Sequence, residues 1–140
     1  MDRVVVTMYQ VVLPVDASEE RARAQASATT GLPHAEDSVT ATVLRVFDDE
    51  GTADKTSVKQ TPAGKALVEA LQETGVDIET ETRHGNPEVQ ILNVAEERDA
   101  DMIILGGRKR SPLGALVFGS VSQSVILDSE RPVAVTGSAE

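Results

Sequence analysis

The chain contains no cysteine among its 140 residues. It therefore offers no disulfide, thiolate zinc site or cysteine nucleophile, and nothing in it indicates an oxidising compartment. No apolar run approaches the ~18 residues that a membrane span requires, and residues 1–8 are too short to hold the apolar region of a signal peptide. We expect a cytoplasmic protein with no membrane partner.

Basic side chains are also scarce, with 13 Lys and Arg against 23 Asp and Glu, for a net charge of −10. Nucleic-acid binding depends on Lys and Arg to neutralise phosphates, so we expect no nucleic-acid partner. The acidic surface is compatible with a halophilic protein and equally with an ordinary acidic one. The single basic cluster is Arg108, Lys109 and Arg110, and we expect any bound anion there.

Indications of metal binding and catalysis are weak. His34 and His84 have no histidine or carboxylate at ligand spacing, so we predict no metal site. Gly64-Lys65 is similar to the end of a phosphate loop, but Ala66 stands where Ser or Thr is required. Without a cysteine nucleophile or a G-x-S-x-G elbow, we predict no catalytic residue, and slow nucleotide hydrolysis is the one enzymatic activity left open.

Strand and helix patterns alternate along residues 1–140, which we interpret as one domain. The predicted strands cover residues 11–15, 39–46, 76–83, 102–105 and 132–136. The predicted helices cover residues 18 to about 28, 61–74, 86–98 and a segment starting at Ser120. Residues 1–7 form an N-terminal extension in this interpretation. The acidic segment 47–59 is too poor in apolar residues to pack, so we predict a flexible loop there.

Alternation of strands and helices predicts an α/β fold with a parallel sheet, helices on both faces and right-handed crossovers. The most apolar strands, one and four, belong at the centre. Strand three alternates apolar and polar residues and strand five starts with a proline, so both belong at the edges. The predicted order is 3-2-1-4-5, a doubly wound sheet. Ligands bind such sheets where the strand order reverses, and here that place lies between Asp16 and Gly106.

The stretch 106–124, GGRKRSPLGALVFGSVSQS, connects strand four to the last helix. Glycines at the strand exit, basic side chains and a helix start bring backbone N–H groups and positive charge together, as a phosphate site requires. Ser120 and Gln123 have the spacing of a capping box, in which Ser120 is the N-cap. That structural role needs no ligand, so both interpretations of Ser120 stay open.

Five segments of the chain together resemble the universal stress protein family: VVLPVDAS, LRVFD, MIILGGR, GSVSQSVI and RPVAV. The resemblance covers residues 8–136. It implies the fold predicted above and a homodimer formed through the last strand, at Val133, Ala134 and Val135. One branch of the family binds ATP through the motif G-x2-G-x9-G-[ST].

The resemblance implies a nucleotide site when it is carried over to this sequence. Asp16 takes the position near the ribose or adenine, and Val46 that of a main-chain contact to the adenine edge. Lys109 stands where the second glycine of the motif belongs, which counts against ATP, although its ammonium can hold a phosphate. The full set of implied nucleotide-binding residues is Pro14, Asp16, Val46, Gly106, Gly107, Arg108, Lys109, Gly119, Ser120, Val121 and Ser122.

Three functions follow from this resemblance. The first is a stress-response regulatory protein that binds ATP, ADP or AMP, with Mg²⁺ accompanying the nucleotide. The second is a dimeric interaction module of the same fold with an empty crevice. The third is a slow ATPase. Asp16 also has a plain structural interpretation, in which it ends the first strand and supports the turn into the first helix.

Overall fold

A computed structural model describes residues 7–107 and 119–137. The strands are β1 (Tyr9–Pro14), β2 (Val39–Phe47), β3 (Asp77–His84), β4 (Met102–Gly106) and β5 (Val133–Thr136). The helices are α1 (Glu19–Thr30), α2 (Ala35–Ser38), α3 (Glu50–Lys55), α4 (Pro62–Gln72), α5 (Pro87–Glu97) and α6 (Ser120–Asp128), with a 3₁₀ turn at Val58–Gln60. Regular alternation of strand and helix confirms the predicted α/β class.

The five strands form one parallel sheet in the order β3-β2-β1-β4-β5, which confirms the predicted topology. β1 pairs with β2 along its whole length, from Tyr9 opposite Val39 to Pro14 opposite Leu44. Its pairing with β4 comprises only Val11 opposite Met102 and Val12 opposite Ile103. Beyond Val12 the two central strands separate, and this separation opens the crevice expected at the reversal of strand order.

The two faces of the sheet carry separate hydrophobic cores. Alternation along β1 places Val11 and Leu13 on the face covered by α1 and α4, and Val12 on the face covered by α5 and α6. All three residues are at most 1% exposed. Because β1 contributes to both cores, its residues form an apolar run without polar alternation, as the sequence indicated for a central strand.

Three helix starts follow the capping signals in the sequence. Ser18 Oγ accepts a hydrogen bond from the Arg21 N–H at 3.2 Å, and Thr61 Oγ1 accepts one from the Gly64 N–H at 3.2 Å. Asn86 Oδ1 accepts one from the Val89 N–H at 3.1 Å. Each bond satisfies a donor that the first turn of a helix leaves unpaired.

The predicted capping box at the last helix is wrong. Gly119 is the N-cap of α6, it has no side-chain cap bond, and Ser120 is the first helical residue. Gln123 instead donates its backbone N–H to the Gly119 carbonyl at 3.0 Å. A glycine N-cap leaves the start of α6 without a side chain that folds back over its N–H groups.

The segment 47–59, predicted to be a flexible loop too poor in apolar residues to pack, contains the short helix α3 and the 3₁₀ turn at Val58–Gln60. Asp49 caps α3 by accepting the Thr52 N–H at 2.8 Å, and Ala53 and Val58 are only 8% and 2% exposed. Two buried residues and one cap are enough to order this polar segment against β2 and β3. Residues 29–38, between the first predicted helix and the second predicted strand, likewise contain a single turn of helix, α2.

Candidate functional site

A cleft of about 280 Å³ opens at the carboxyl edge of the sheet, where β1 and β4 separate. Strands, the turn after β1 and three helices contribute to it. Its described lining residues are Pro14, Val15, Asp16, Arg21, Gln25, Leu44, Arg45, Val46, Pro87, Ile91, Leu105, Gly106, Gly119, Ser120, Val121 and Ser122. The cleft therefore lies where the topology of the sheet predicts a ligand site.

Gln25 of α1 holds the two separating strands at the base of the cleft. Its side-chain amide donates to the Pro14 carbonyl at 2.7 Å and to the Ile104 carbonyl at 2.9 Å, and the residue is 2% exposed. Both carbonyls lie beyond the last paired residues of β1 and β4. Where β1 and β4 separate, these two carbonyls have no partner on the other strand. The Gln25 amide supplies the missing donors.

Asp16 lies at the mouth of the cleft and is already engaged within the protein. One carboxylate oxygen accepts the Ser18 N–H at 2.8 Å, and the other accepts the Arg21 Nε–H at 2.9 Å and pairs with a terminal guanidinium nitrogen at 2.8 Å. The Asp16 side chain remains 57% exposed. It supports the turn into α1, as its structural interpretation held, and it is still accessible to a ligand. An ion pair this exposed contributes about 0–1 kcal/mol, so a ligand can replace it at small cost.

Arg21 packs so closely against position 106 that only a glycine fits there. A Cβ built on Gly106 would lie 2.8 Å from the Arg21 Cβ, nearer than side chains approach. The side chain of Arg21 therefore crosses the end of β4 and reaches Asp16 over a glycine. The first glycine of the phosphate motif thus has a packing role, independent of any ligand.

Gly107 is not brought into the cleft. It is buried, and its N–H donates to the Thr136 carbonyl at 3.0 Å and to the Thr136 hydroxyl at 3.3 Å. Its only backbone donor is committed to β5, so Gly107 serves the sheet edge. Arg108 and Lys109, also predicted for the site, lie outside the described residues.

The first turn of α6, the helix that connects β4 to β5, also lines the cleft. Gly119, Ser120, Val121 and Ser122 all line it. The first N–H groups of a helix have no partner within the helix, and the macrodipole adds a partial positive charge there. With no side-chain cap at Gly119, this terminus is suited to an anion such as a phosphate.

The cleft has two unlike walls, whose composition follows from the alternation of side chains along β2. Leu44 and Val46 point to the α5 and α6 face, and Arg45 between them points to the α1 and α4 face. The apolar wall consists of Leu44, Val46, Pro87, Ile91 and Leu105. The polar wall consists of Asp16, Arg21, Gln25 and Arg45. Its two guanidinium groups exceed its one carboxylate, although the whole chain carries a net charge of −10. A ligand with a flat apolar part and an anionic part matches this arrangement.

Two carboxyl groups meet where α5 and α6 pack together. Glu88 follows Pro87 in α5, Asp128 ends α6, and a hydrogen bond between these side chains raises the pKa of Glu88, with burial adding to the shift. A carboxyl can share a proton with a second carboxyl only when one of them is protonated. The packing of α6 on α5 therefore includes a like-charge contact at neutral pH.

Most residues predicted for the site from the sequence converge on the cleft: Pro14, Asp16, Val46, Gly106, Gly119, Ser120, Val121 and Ser122. Sequence reasoning missed three residues of the polar wall, Arg21, Gln25 and Arg45, and four of the apolar wall, Leu44, Pro87, Ile91 and Leu105. Gln25 lies on the same face of α1 as Ala22, Ala26 and Thr29, and a polar side chain at that spacing is a sequence signal that could have identified it.

Within residues 7–107 and 119–137, no group of three or more His, Cys, Asp or Glu side chains is arranged to hold a metal ion. None of the helices described there has the length and apolar character that crossing a bilayer requires.

The model of a family described as "Universal stress protein family" matches residues 8–137. A curated universal stress protein of Methanocaldococcus jannaschii is 35% identical over 71 residues, which are 51% of this chain and 42% of the relative. One of Mycolicibacterium smegmatis is 37% identical over 64 residues, 45% of this chain and 49% of the relative. These alignments span less than half the length of either relative.

Solved structures match over more of the chain. A universal stress protein of Archaeoglobus fulgidus has a TM-score of 0.72 at 28% identity, covering 94% of this chain and 99% of that chain. A structure from the same organism in complex with dAMP has a TM-score of 0.65 at 24% identity, with coverage of 94% and 99%. An Arabidopsis thaliana family protein with AMP bound has a TM-score of 0.68 at 20% identity, with coverage of 93% and 91%. The last two likenesses concern the fold alone.

Proposed function

Because this chain belongs to the universal stress protein family, we propose that it binds an adenine nucleotide in the cleft between β1 and β4 and acts as a cytoplasmic regulatory protein in the stress response. The observation that carries the proposal is the cleft itself. It joins an apolar wall, a polar wall with excess positive charge and an uncapped helix N-terminus in one space of about 280 Å³.

The arrangement supports one orientation of the ligand. The phosphate lies at the first turn of α6, where N–H groups and the hydroxyls of Ser120 and Ser122 donate to it. The ribose lies at Asp16, whose carboxylate accepts hydroxyl hydrogens in exchange for part of its ion pair with Arg21. The adenine lies over β1 and β2, against the apolar wall and the main chain of Val46. Structures of family members with dAMP and AMP support a nucleotide of this class.

The test is a pair of variants in the same turn of α6. Ser122→Glu places a carboxylate where the phosphate would lie, while an acidic residue in the first turn suits the helix dipole, so the fold is retained. Gln123→Glu changes the net charge equally, one residue away and outside the cleft. We expect AMP to raise the melting temperature of wild type and Gln123→Glu, and to leave Ser122→Glu unchanged. A ligand at 100 times its dissociation constant adds about 2.7 kcal/mol, which such melts detect readily.

Nucleotide released from the denatured, purified protein would support the proposal directly. No released nucleotide, together with melts of the wild type unmoved by millimolar AMP, ADP or ATP with and without Mg²⁺, would contradict it and favour the interaction module. Phosphate release from ATP that Asp16→Ala does not diminish would identify a contaminating ATPase.

The choice between AMP and ATP depends in this proposal on Lys109, which replaces the second motif glycine. If the Lys109 side chain obstructs the phosphates, Lys109→Gly removes the obstruction. If the Lys109 ammonium binds the phosphates, the same variant removes a cation that they need. Tighter ATP binding by the variant would assign obstruction to the lysine, and weaker binding would assign phosphate contact.

We also propose that the protein is a homodimer formed through β5. This strand lies at the edge of the sheet, and Val133, Ala134 and Val135 are half-buried in the single chain. An edge strand with apolar residues offers unpaired backbone groups to a second copy. We expect Val135→Glu to halve the mass measured by light scattering, with an unchanged circular dichroism spectrum. Retention of the dimer mass would remove β5 from the interface.

A further inference from the structure

Arg45 differs from every other arginine that the structure describes. The other five each pair with a carboxylate within 4.0 Å: Arg21, Arg23, Arg83, Arg98 and Arg131. In the described part of the chain, no carboxylate pairs with Arg45, and its Nε is buried without a hydrogen-bond partner. In a protein with 23 acidic side chains, this isolation marks Arg45 as a donor whose acceptor comes from elsewhere.

The position of Arg45 identifies what that acceptor is. Arg45 lines the cleft, and its guanidinium carbon lies 5.2 Å from the centre of the Phe47 ring, so stacking holds the planar group in place. β2 and β4 lie on either side of β1, so Arg45 is roughly 10 Å, or two strand spacings, from the end of β4. α6 connects β4 to β5, so its first turn belongs to the β4 side of the cleft, whereas Arg45 belongs to the β2 side.

A nucleotide whose phosphate occupies the first turn of α6 directs its base toward β2. We infer that Arg45 is a ligand-contacting residue that donates hydrogen bonds to ring-nitrogen acceptors of the purine base. This inference rests on the proposed function and adds to it the residue that recognises the base. Arg45 suits this role because its fixed fork presents several donors and accepts nothing, whereas a purine edge offers unpaired acceptors.

The experiment measures the affinity of adenosine and AMP by titration calorimetry for wild type, Arg45→Gln and Arg45→Lys. Arg23→Gln is the matched control, because Arg23 is exposed, pairs with Glu19 and lies outside the cleft. We expect Arg45→Gln to weaken both ligands by the same factor, on the order of tenfold, as for the loss of one charge-assisted hydrogen bond. Arg45→Lys keeps the charge but loses the fork, so it should lose less. Arg23→Gln should bind as wild type does.

Two results would overturn the inference while leaving the proposed function intact. Unchanged affinity for both ligands in Arg45→Gln and Arg45→Lys would show that Arg45 makes no contact. A loss confined to AMP would place Arg45 against the phosphate. Failure of the wild type to bind either ligand would instead overturn both proposals at once. The lysine variant decides the question if Arg45→Gln does not fold, since it retains the long side chain over Phe47.

Discussion

The two walls of the cleft are stabilised in different ways. The apolar wall is part of a hydrophobic core: Ile91 and Leu105 are 3% exposed and pack with Val12 and Val125. The polar wall consists of single side chains, each fixed by its own hydrogen bonds or stacking contact. Substitutions in the first wall should therefore change the stability of the whole domain, whereas most substitutions in the second should change what the cleft binds.

Gln25 behaves unlike the other residues of the polar wall. Gln25 belongs to the polar wall, yet it is as buried as Ile91 and satisfies two backbone carbonyls. Asp16, in the same wall, is 57% exposed, so water competes with Arg21 for its carboxylate. Burial, rather than polarity, thus decides whether a residue of the cleft contributes to stability.

Ile91→Ala should give the largest loss of stability. Truncation of a buried isoleucine removes its transfer free energy and leaves a cavity, for a cost of about 2–5 kcal/mol in the free energy of unfolding. Urea denaturation followed by circular dichroism measures this loss. Ile126→Ala on the exposed side of α6 is the control, since Ile126 is 38% exposed and should cost far less. Equal losses in the two variants would contradict the assignment of Ile91 to a core.

Gln25→Leu should follow with a loss of about 2–4 kcal/mol, because it leaves the buried Ile104 carbonyl and the half-buried Pro14 carbonyl without their donor. A leucine of similar size keeps the packing, so the loss reports the hydrogen bonds. Gln72→Leu, at an exposed position of α4, is the control and should change stability by at most about 0.5 kcal/mol. If both variants unfold at the same urea concentration, the amide of Gln25 does not hold the strands.

The strands and the helix that carry the apolar wall were predictable from the sequence, whereas the contacts that fix the polar wall were not. Strand patterns at 39–46 and 102–105, with the Asn86-Pro87 helix start, position the elements that form the apolar wall. These patterns arise from periodic burial, which a sequence displays directly. The same patterns predicted the strand order and the crevice between Asp16 and Gly106.

The contacts of the polar wall join residues whose separation along the chain follows no periodic pattern. Gln25 bonds to carbonyls 11 and 79 residues away, and Arg21 crosses Gly106 to reach Asp16. Only the folded arrangement decides these partners. The same holds for α3, whose order depends on one cap and one buried alanine, too little for a periodic pattern. The polar-wall residues were thus missed because each is fixed by an individual contact and not by a periodic pattern of burial.

Changing the pH should have the smallest effect on stability, and it distinguishes two charged pairs of the protein. Asp16 and Arg21 are opposite charges, whereas Glu88 of α5 and Asp128 of α6 are like charges. The shared hydrogen bond raises the pKa of Glu88 above its usual 4.5 in the folded state. Its contribution to stability is then complete below pH 4.5 and is lost as the pH rises through the raised value.

Asp128→Asn removes the like charge but keeps a group that can hydrogen-bond to Glu88. We expect the melting temperature of the variant to be close to that of wild type at pH 4 and higher at pH 7. The difference should grow as the pH rises through the raised pKa of Glu88. Asp54→Asn, an exposed change of equal charge in α3, controls for the lower net charge and should show no such growth. A difference that is constant from pH 4 to pH 7 would mean that the two carboxyls do not interact. If the difference in melting temperature grows with pH, Glu88 and Asp128 repel each other at neutral pH and oppose the contact of α6 with α5. The oppositely charged Asp16 and Arg21 of the polar wall carry no such repulsion.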